Sequence, residues 1–517
     1  MSTRHGEPLR GLMSSKHSPH FEGYFGRMFR SLPAAHYGGN VPETEKNLAV
    51  LAQAMKAAPE IAKDGRDDEE SGIPALYTYL GQFIDHDLTF DPSSSLQKQN
   101  DPDALVDFRT PAFDLDNVYG RGPEDQPYLY DGGSLFLLGE DLSGGTGAAF
   151  DLPRNRPRTA PPAAAEPARR ALIGDPRNDE NVIVSQLQGL FHRFHNRLVK
   201  ENPILSFADA QRLVRFHYQY VVVNDFLPRI VHSSVLADLQ QDGQFDKGKI
   251  RFYHYRNGPF MPVEFSGAAY RLGHSMVRPG YRLNDNVLLP IFSPTGGDDG
   301  LTGFREMNLA WGIDWGRFID IDIRPTGNVV DDVPDADAKK RLQFAYRLDT
   351  SAVDQLANLP PSIGGKFPSL PLRNLLRGFR LGLPSGQSVA KAMKVKVMDD
   401  SEILLGKFVA PDNREPAEEL KTIVEAAGEV FAGNCPLWTY ILAETRQFLE
   451  PVELPVTGGL SLHTPRLGPV GGRIVAEVFL GIMFGDPHSF LSQEPDWQPS
   501  GGAKFGLKDF VKYALGL

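Results

Sequence analysis

The stretch Gly81-Gln82-Phe83-Ile84-Asp85-His86-Asp87 places polar side chains on both sides of a predicted helix. At about 100° per residue, Gln82, Asp85 and His86 share one face, which is either the solvated side of an amphipathic helix or the lining of a chemical site. Asp87 falls instead on the other face, among the apolar residues Leu76, Leu80, Phe83, Ile84 and Leu88. Because desolvating a carboxylate is costly unless it is paired or bound to a metal, we expect a cation beside Asp87.

The composition is that of an ordinary globular protein. Of 517 residues, 41% are hydrophobic and 23% are charged, which supplies material for a large core. The single cysteine, Cys435, excludes an internal disulfide and zinc sites built on several thiolates, and we interpret it as a buried small hydrophobe. A net charge of -11 disfavours nucleic acid as a partner, since that binding depends on Lys and Arg.

The chain shows few domain or targeting signals. No run of apolar residues near the N-terminus resembles a signal peptide, and no segment reaches membrane-spanning length. The expected location is therefore cytoplasmic, with export without a cleaved signal as the other possibility. Residues 1–40 are expected to form an irregular arm and 153–170 a mobile surface loop. The sequence does not indicate the oligomeric state.

Helical periodicity dominates the remaining sequence. Apolar residues between Ile183 and Leu198 recur at helical spacing, which predicts a long helix capped by Asn178 or Asp179. A second helix is predicted through Phe265, Ala269, Leu272 and Met276, ending before Pro279. Alternating strand patterns are scarce, so we predict a mainly α protein with very little β structure.

Three further motifs carry candidate side chains. Arg177 and Glu180 lie three apart at the start of the long helix, and Arg271 and His274 lie three apart in the second helix. Gly267 and Gly273 beside His274 would let a large flat ligand approach. Asn374 and Arg377 repeat the same spacing. Each pair is also compatible with an ordinary helix surface, and the neighbouring His192 and His195 are interpreted as structural, because no third metal ligand follows at a suitable spacing.

The expected partners of Asp87 lie in the segment 110–116. In an extended conformation Thr110, Ala112, Asp114 and Asp116 point the same way, which places one hydroxyl and two carboxylates in a row. Hard oxygen ligands suit calcium better than a transition metal, so we expect a Ca²⁺ site.

In combination these motifs resemble the animal-type haem peroxidase family, also called the peroxidase-cyclooxygenase superfamily, in a short bacterial-type form. The resemblance extends from about residue 39 to residue 513. The motifs that carry it are Gly81 to Asp87, Asp116-Asn117-Val118-Tyr119-Gly120, Arg177-Asn178-Asp179-Glu180, His195-Asn196-Arg197-Leu198, Arg271-Leu272-Gly273-His274, Asn374-Leu375-Leu376-Arg377 and Leu467-Gly468-Pro469-Val470-Gly471.

The resemblance implies a large single-domain, mainly α-helical catalytic domain, assigned to residues 41–517. It also implies haem b, with His86 as the distal histidine, His274 as the iron ligand, and Arg177 and Gln82 in the distal pocket. The remaining implied roles are possible ester links to haem for Asp85 and Glu180, contacts with the propionates for Arg271 and Arg377, a hydrogen bond to His274 for Asn374, and Ca²⁺ ligands for Asp87, Thr110, Ala112 through its carbonyl, Asp114 and Asp116.

The activity implied is that of a peroxidase. Such an enzyme reduces hydrogen peroxide through a ferryl intermediate and oxidises small electron donors or anions, here phenols, bromide, iodide or thiocyanate. Asn181 stands where myeloperoxidase has a methionine that forms a third link to haem, so strong chloride oxidation is not expected.

Two alternatives have different signatures. A fatty-acid dioxygenase on the same fold needs a tyrosine three residues before the iron-binding histidine, whereas Tyr270 lies four before His274 and Arg271 occupies that place. A haem-free calcium-binding or adhesive protein would not need His86, Arg177, His274 and Asn374 together.

We predict that Asp87→Ala loses both calcium and activity, since fixing this carboxylate holds the neighbouring imidazole of His86 in place. Calcium content and peroxide turnover of the purified variant check this. Full turnover in the variant would show that the two sites are not coupled.

Overall fold

The computed structural model describes residues 25–89, 109–158, 169–255, 258–327, 329–330, 333–334, 337–408 and 420–517. Within these ranges the chain is mainly helical, as predicted. The α-helices are α1 Val41–Ala54, α2 Leu76–Leu88, α3 Asp116–Tyr119, α4 Gly122–Asp125, α5 Val182–Glu201, α6 Phe207–Val221, α7 Leu227–Ile230, α8 Ser233–Ala237, α9 Val263–Gly267, α10 Asp354–Ala357, α11 Pro361–Gly364, α12 Leu370–Arg380, α13 Gly386–Met393, α14 Ile423–Ala427, α15 Leu437–Glu444, α16 Pro469–Gly485, α17 Phe490–Gln493 and α18 Leu507–Leu515.

Strands in the described ranges are short and form two-stranded sheets only. One pair is parallel, β1 Phe25–Gly26 with β9 Met261–Pro262. The antiparallel pairs are β2 Glu70–Pro74 with β14 Phe344–Tyr346, β3 Tyr130–Asp131 with β4 Leu135–Phe136, β5 Asp141–Leu142 with β6 Ala149–Phe150, β7 Gln240–Gln241 with β8 Gln244–Phe245, β10 Gly280–Arg282 with β11 Leu288–Pro290, β12 Val329–Val330 with β13 Val333–Pro334, β15 Leu404–Leu405 with β16 Lys421–Thr422, and β17 Leu449–Glu453 with β18 Ser461–Pro465.

The long helix α5 is present where predicted, but its predicted cap was wrong. The N-cap is Asn181, whose extended backbone lets its side chain accept hydrogen bonds from Ile183 and Val184 N–H. Residues Pro176–Asp179 form a separate 3-10 turn capped by Asp175. Asn178 is therefore free to bond other side chains.

The predicted helix through Phe265 and Met276 is also wrong in form. Helix α9 ends at Gly267, and Ala268 breaks the path with φ -139° and ψ -71°. A 3-10 helix, Ala269–His274, follows. Side chains three apart eclipse one another in a 3-10 helix, so this tighter turn directs Arg271 and His274 to the same side.

Helix α2 is held in place by aromatic packing. Phe83 is fully buried and stacks on Phe191 of α5, with ring centroids 4.4 Å apart. Phe194, one turn further along α5, stacks on Phe510 of α18 at 4.2 Å. The main hydrophobic cluster includes residues from Phe25 to Ala514. Packing thus fixes one face of α2 and leaves the opposite face to line a cavity.

The predicted arm and loop lie only partly in the described ranges. Residues 1–24 and 159–168 are outside them, and the boundary at residue 40 stays a prediction. Both ends of the 153–170 loop are anchored, since Arg154 pairs with Asp151 and Asp179, and Arg169 is buried. No helix of the described chain is long and apolar enough to cross a membrane.

We predict that Phe83→Ala lowers the free energy of unfolding by about 3–5 kcal/mol, because it leaves a cavity between α2 and α5. Ile204→Ala is the control, since Ile204 is 95% exposed and should change stability by less than about 0.5 kcal/mol. Urea denaturation measures both. Equal small effects would mean that this stacking does not hold α2.

Candidate active site

A cavity of about 790 Å³ opens between α2, the 3-10 turn at Pro176–Asp179, the 3-10 helix Ala269–His274 and α12. Eight of the nine side chains that the resemblance assigns to catalysis or haem binding line it: Gln82, Asp85, His86, Arg177, Glu180, Arg271, His274 and Arg377. Residues almost 300 positions apart in the chain therefore meet at one site.

A chain of side-chain amides fixes the proton on His86. Asn178 donates its Nδ2–H to Gln188 Oε1 at 2.8 Å, so its own oxygen faces His86 Nδ1 at 2.7 Å. Gln188 Nε2 in turn donates to His192 at 2.9 Å, where burial lowers the pKa of the imidazole to about 3 and keeps it neutral. His86 consequently carries its proton on Nδ1, which leaves Nε2 free to exchange protons.

A second network lies beside Nε2 of His86. Glu180 Oε1 is 3.3 Å from His86 Nε2 and also accepts a hydrogen bond from Gln82 Nε2. Asn181 donates to Gln82 Oε1 at 3.0 Å. Although burial opposes it, His86 in its protonated form and the charge of Arg177 hold the pKa of Glu180 below its ordinary value. A proton taken up by His86 therefore has a carboxylate beside it.

Arg177 is immobilised by Asp175. The guanidinium donates to this carboxylate through Nε and through NH2, the latter at 2.7 Å, and NH2 also donates to the His86 carbonyl at 2.9 Å. Asp175 is 1% exposed and is shared with Arg109. Although burial opposes it, these two guanidinium groups hold the pKa of Asp175 far below its usual range. The positive charge of Arg177 is thus fixed at the cavity wall.

His274 is held by Asn374, which lies behind the cavity lining. The Asn374 amide nitrogen is 2.8 Å from His274 Nδ1. Burial, assisted by the charge of Arg271, lowers the pKa of His274 to about 3, so the imidazole is neutral. A histidine that binds iron through Nε2 carries its proton on Nδ1. Rotating the Asn374 amide by 180° exchanges its nitrogen and oxygen, and the oxygen then accepts the hydrogen bond from Nδ1–H.

Charged groups surround the cavity near His274. Arg271 NH1 lies 3.5 Å from Asp85 Oδ2, and Arg271 Nε donates to the Ser266 carbonyl. Thr89 donates to Asp85 Oδ1 at 3.1 Å. Although burial opposes it, Arg271 and the other nearby cations hold the pKa of Asp85 below its ordinary value. Arg377 lines the same cavity from α12.

The site has room for a large flat ligand beside His274. A Cβ built on Gly273 would meet no atom within 4 Å, so this position faces open space. Gly267 behaves differently, because a Cβ there would lie 3.0 Å from Leu381. The expectation for Gly273 agrees with the geometry, whereas Gly267 serves helix packing.

Asp87 is fully buried, and within the described ranges neither of its carboxylate oxygens has a hydrogen-bond partner. Ligand atoms of Asp87, Asp114 and Asp116 all lie within 4.8 Å of one another. Burial and the neighbouring acids raise the pKa of Asp87 and of Asp114 well above the ordinary range. Three converging carboxylates, one of them fully buried, are the donor set that a hard divalent cation needs.

The expected extended conformation of 110–116 was wrong. Ala112 N–H donates to the Thr110 carbonyl at 2.7 Å, which makes a tight turn, and Leu115 is left-handed with φ 60°. The convergence of the acids comes from these turns and not from strand alternation.

Sequence reasoning missed the residues that hold the site from behind. They are Arg109, Asp175 and Gln188, with Asn178 considered only as a cap. Asp175 directly precedes the 3-10 turn Pro176–Asp179, and an acid two residues before an arginine at the start of such a turn is the signal that could have been used. Arg109 joins Asp175 across 66 residues, and no local pattern indicates it.

Comparison with known proteins agrees with this geometry. A family model described as animal haem peroxidase matches residues 96–293. Chorion peroxidase of Drosophila melanogaster is 30% identical over 177 residues, covering 32% of this chain and 21% of that protein. Thyroid peroxidase of Sus scrofa is 31% identical over 193 residues, covering 34% of this chain and 20% of that protein. The chain therefore spans about a fifth of the length of these curated relatives.

A solved structure extends the likeness to the whole fold. Peroxidase A from Dictyostelium discoideum superimposes with a TM-score of 0.55 at 14% sequence identity, covering 96% of this chain and 94% of that chain. Residues 96–293 are therefore similar to the animal haem peroxidase family, and the chain as a whole shares the fold of this peroxidase.

Proposed function

We propose that this protein is a haem peroxidase that reduces hydrogen peroxide and oxidises small electron donors. The observation that carries the proposal is that His86, with its Nδ1 held by Asn178, and the neutral His274 line one cavity. The cavity volume of about 790 Å³ lies within the range of small-ligand and cofactor sites. Haem b bound there would supply an iron that accepts peroxide and takes up its two oxidising equivalents.

His86 would move the proton. Its Nε2 can take a proton from one oxygen of hydrogen peroxide and return it to the other oxygen. The Nδ1–H···Oδ1 hydrogen bond to Asn178 keeps the ring oriented during both transfers. As a free carboxylate, Glu180 at 3.3 Å would stabilise the intervening imidazolium. Arg177 would stabilise the negative charge that develops as the O–O bond breaks, and Asp175 keeps it in position before the reaction.

His274 would hold the iron. An amide partner at Asn374 leaves the imidazole a weaker electron donor than a carboxylate partner would, which favours a strongly oxidising site. Arg271 and Arg377 would pair with the haem propionates, and both guanidinium groups border the cavity.

Asp85 and Glu180 would be the residues that form ester bonds to haem, since both carboxylates line the cavity. An ester at Glu180 would remove the negative charge beside His86. Extraction with acidified acetone tests the links, because haem released freely would rule out covalent attachment.

Calcium would be bound by Asp87, Asp114 and Asp116, with Thr110 and the Ala112 carbonyl completing the site. The support is the unpartnered, buried carboxylate of Asp87 and the convergence of the three acids. Asp87 follows His86 directly, so a cation there would also restrain the imidazole.

The donors proposed are phenols, bromide, iodide and thiocyanate. Asn181 caps α5 and bonds Gln82, and it cannot form the methionine link of a strong chloride oxidase. We propose residues 41–517 as the catalytic domain and residues 1–40 as an N-terminal arm.

One observation keeps the dioxygenase alternative testable. Tyr270 lines the cavity, is buried, and within the described ranges its hydroxyl has no hydrogen-bond partner. Oxygen uptake with a fatty acid in the absence of a phenolic donor would favour that reaction over peroxidation. A purified protein without a Soret band after haem-replete expression would favour a haem-free binding protein.

We predict that His86→Gln slows the reaction with peroxide by about 10²–10⁴-fold, because the general acid-base group is lost. The Soret band should be retained, whereas His274→Ala should lose or shift it. Stopped-flow absorption with hydrogen peroxide measures the rate, and His488→Gln, a change of an exposed histidine, is the control. An unchanged rate in His86→Gln would overturn the assignment of His86.

A further inference from the structure

Asn181 makes two kinds of hydrogen bond at once. Its Oδ1 accepts from the backbone N–H groups of Ile183 at 3.0 Å and Val184 at 2.9 Å, which begins helix α5. Its Nδ2 donates to Gln82 Oε1 at 3.0 Å. Because the helix backbone can only donate at this end, the Asn181 oxygen must face the helix and its nitrogen must face Gln82.

Gln82 takes its direction from Asn181. With its oxygen held by the Asn181 N–H, its Nε2 must face the other way, where it donates to Glu180 Oε1. Glu180 is the carboxylate beside His86 Nε2. A single direction of donation therefore runs from the backbone of α5 through two amides to the carboxylate at the catalytic histidine.

We propose that Asn181 is a positioning residue that sets the orientation of the Gln82 amide and, through it, the hydrogen bond that holds Glu180 beside His86. The inference deepens the proposed function, on which it rests for the role of His86. A side chain at position 181 that can only accept would turn the Gln82 amide around. The Gln82 oxygen would then face the Glu180 carboxylate, which has no proton to donate.

Two substitutions separate this role from helix capping. Asn181→Ser keeps an N-cap acceptor, removes the donor and adds no charge. Asn181→Asp also keeps the cap, and it places an acceptor where Gln82 needs a donor. Ser, Asp and Asn are similarly good N-caps, so a residue that acted only as a cap would tolerate both changes equally well.

The first measurement is cyanide affinity of the ferric haem-loaded protein, since this anion binds beside His86 without turnover. We expect Asn181→Ser to weaken binding by about 2- to 10-fold, as loss of one neutral hydrogen bond predicts, and Asn181→Asp to weaken it by about 10-fold or more. In the Gln82→Met background both substitutions should change affinity by less than about 2-fold, because the amide to be oriented is gone.

Losses of equal size in the Gln82 and Gln82→Met backgrounds would overturn the proposal, since the effect would then come from charge or from damage to the cap. Unchanged affinity in both single variants would overturn it as well.

A second measurement does not need haem. Urea unfolding midpoints of four of these proteins, wild type, Asn181→Ser, Gln82→Met and the Asn181→Ser/Gln82→Met double variant, report the coupling of the two side chains. Non-additive losses support the inference, and strictly additive losses overturn it. Failure to bind haem would count against the proposed function alone, because this unfolding cycle would still decide the role of Asn181.

Discussion

One helix must satisfy two environments at adjacent residues, and the rest of the site depends on this constraint. On α2, His86 faces the cavity and Asp87 faces the core, with the two side chains about 100° apart around the helix axis. Phe83 on the buried side fixes the rotation of the helix by stacking on Phe191. Rotation that moved the Asp87 carboxylate out of the core would withdraw the His86 imidazole from the cavity, so the positions of these two side chains are coupled.

Directional hydrogen bonds determine the state of the groups around that helix. Charge alone would tolerate several arrangements of His86, Glu180 and Arg177. The amides of Asn178, Gln188 and Gln82 each have a donor on one side and an acceptor on the other. A fixed hydrogen-bond partner on one side therefore determines whether the other side donates or accepts. The result is an imidazole with a defined tautomer and a carboxylate with a defined neighbour before any ligand arrives.

Local periodicity was sufficient to predict the helical class, the two faces of α2, the course of α5 and the opposed placement of Asp87. These depend on residues within a few turns of one another, where spacing determines direction. The resemblance to the family added the pairing of His86 with His274. The structure corrected the cap of α5, the helix around Arg271 and the path of residues 110–116.

Those corrections share a physical cause. Asn181 outcompetes Asn178 as the cap because Asn178 is engaged by His86 and Gln188, partners that lie on other elements or later in the chain. Leu115 adopts a left-handed backbone, which no propensity for leucine indicates. Tertiary contacts determine both features, so the pattern of neighbouring residues in a single sequence does not predict them.

Arg109 forms ion pairs with both Asp116 and Asp175, and Asp175 also holds Arg177, which donates to the carbonyl of His86. Since the next residue is Asp87, in the same cluster as Asp116, these contacts form a closed loop that runs from the acidic cluster through Arg109, Asp175 and Arg177 back to α2. Neutralising Asp116 would weaken its electrostatic attraction for Arg109. Because Arg109 and Arg177 share Asp175, the change would also affect Arg177. The acidic cluster and the guanidinium of Arg177 at the cavity wall are thereby mechanically linked.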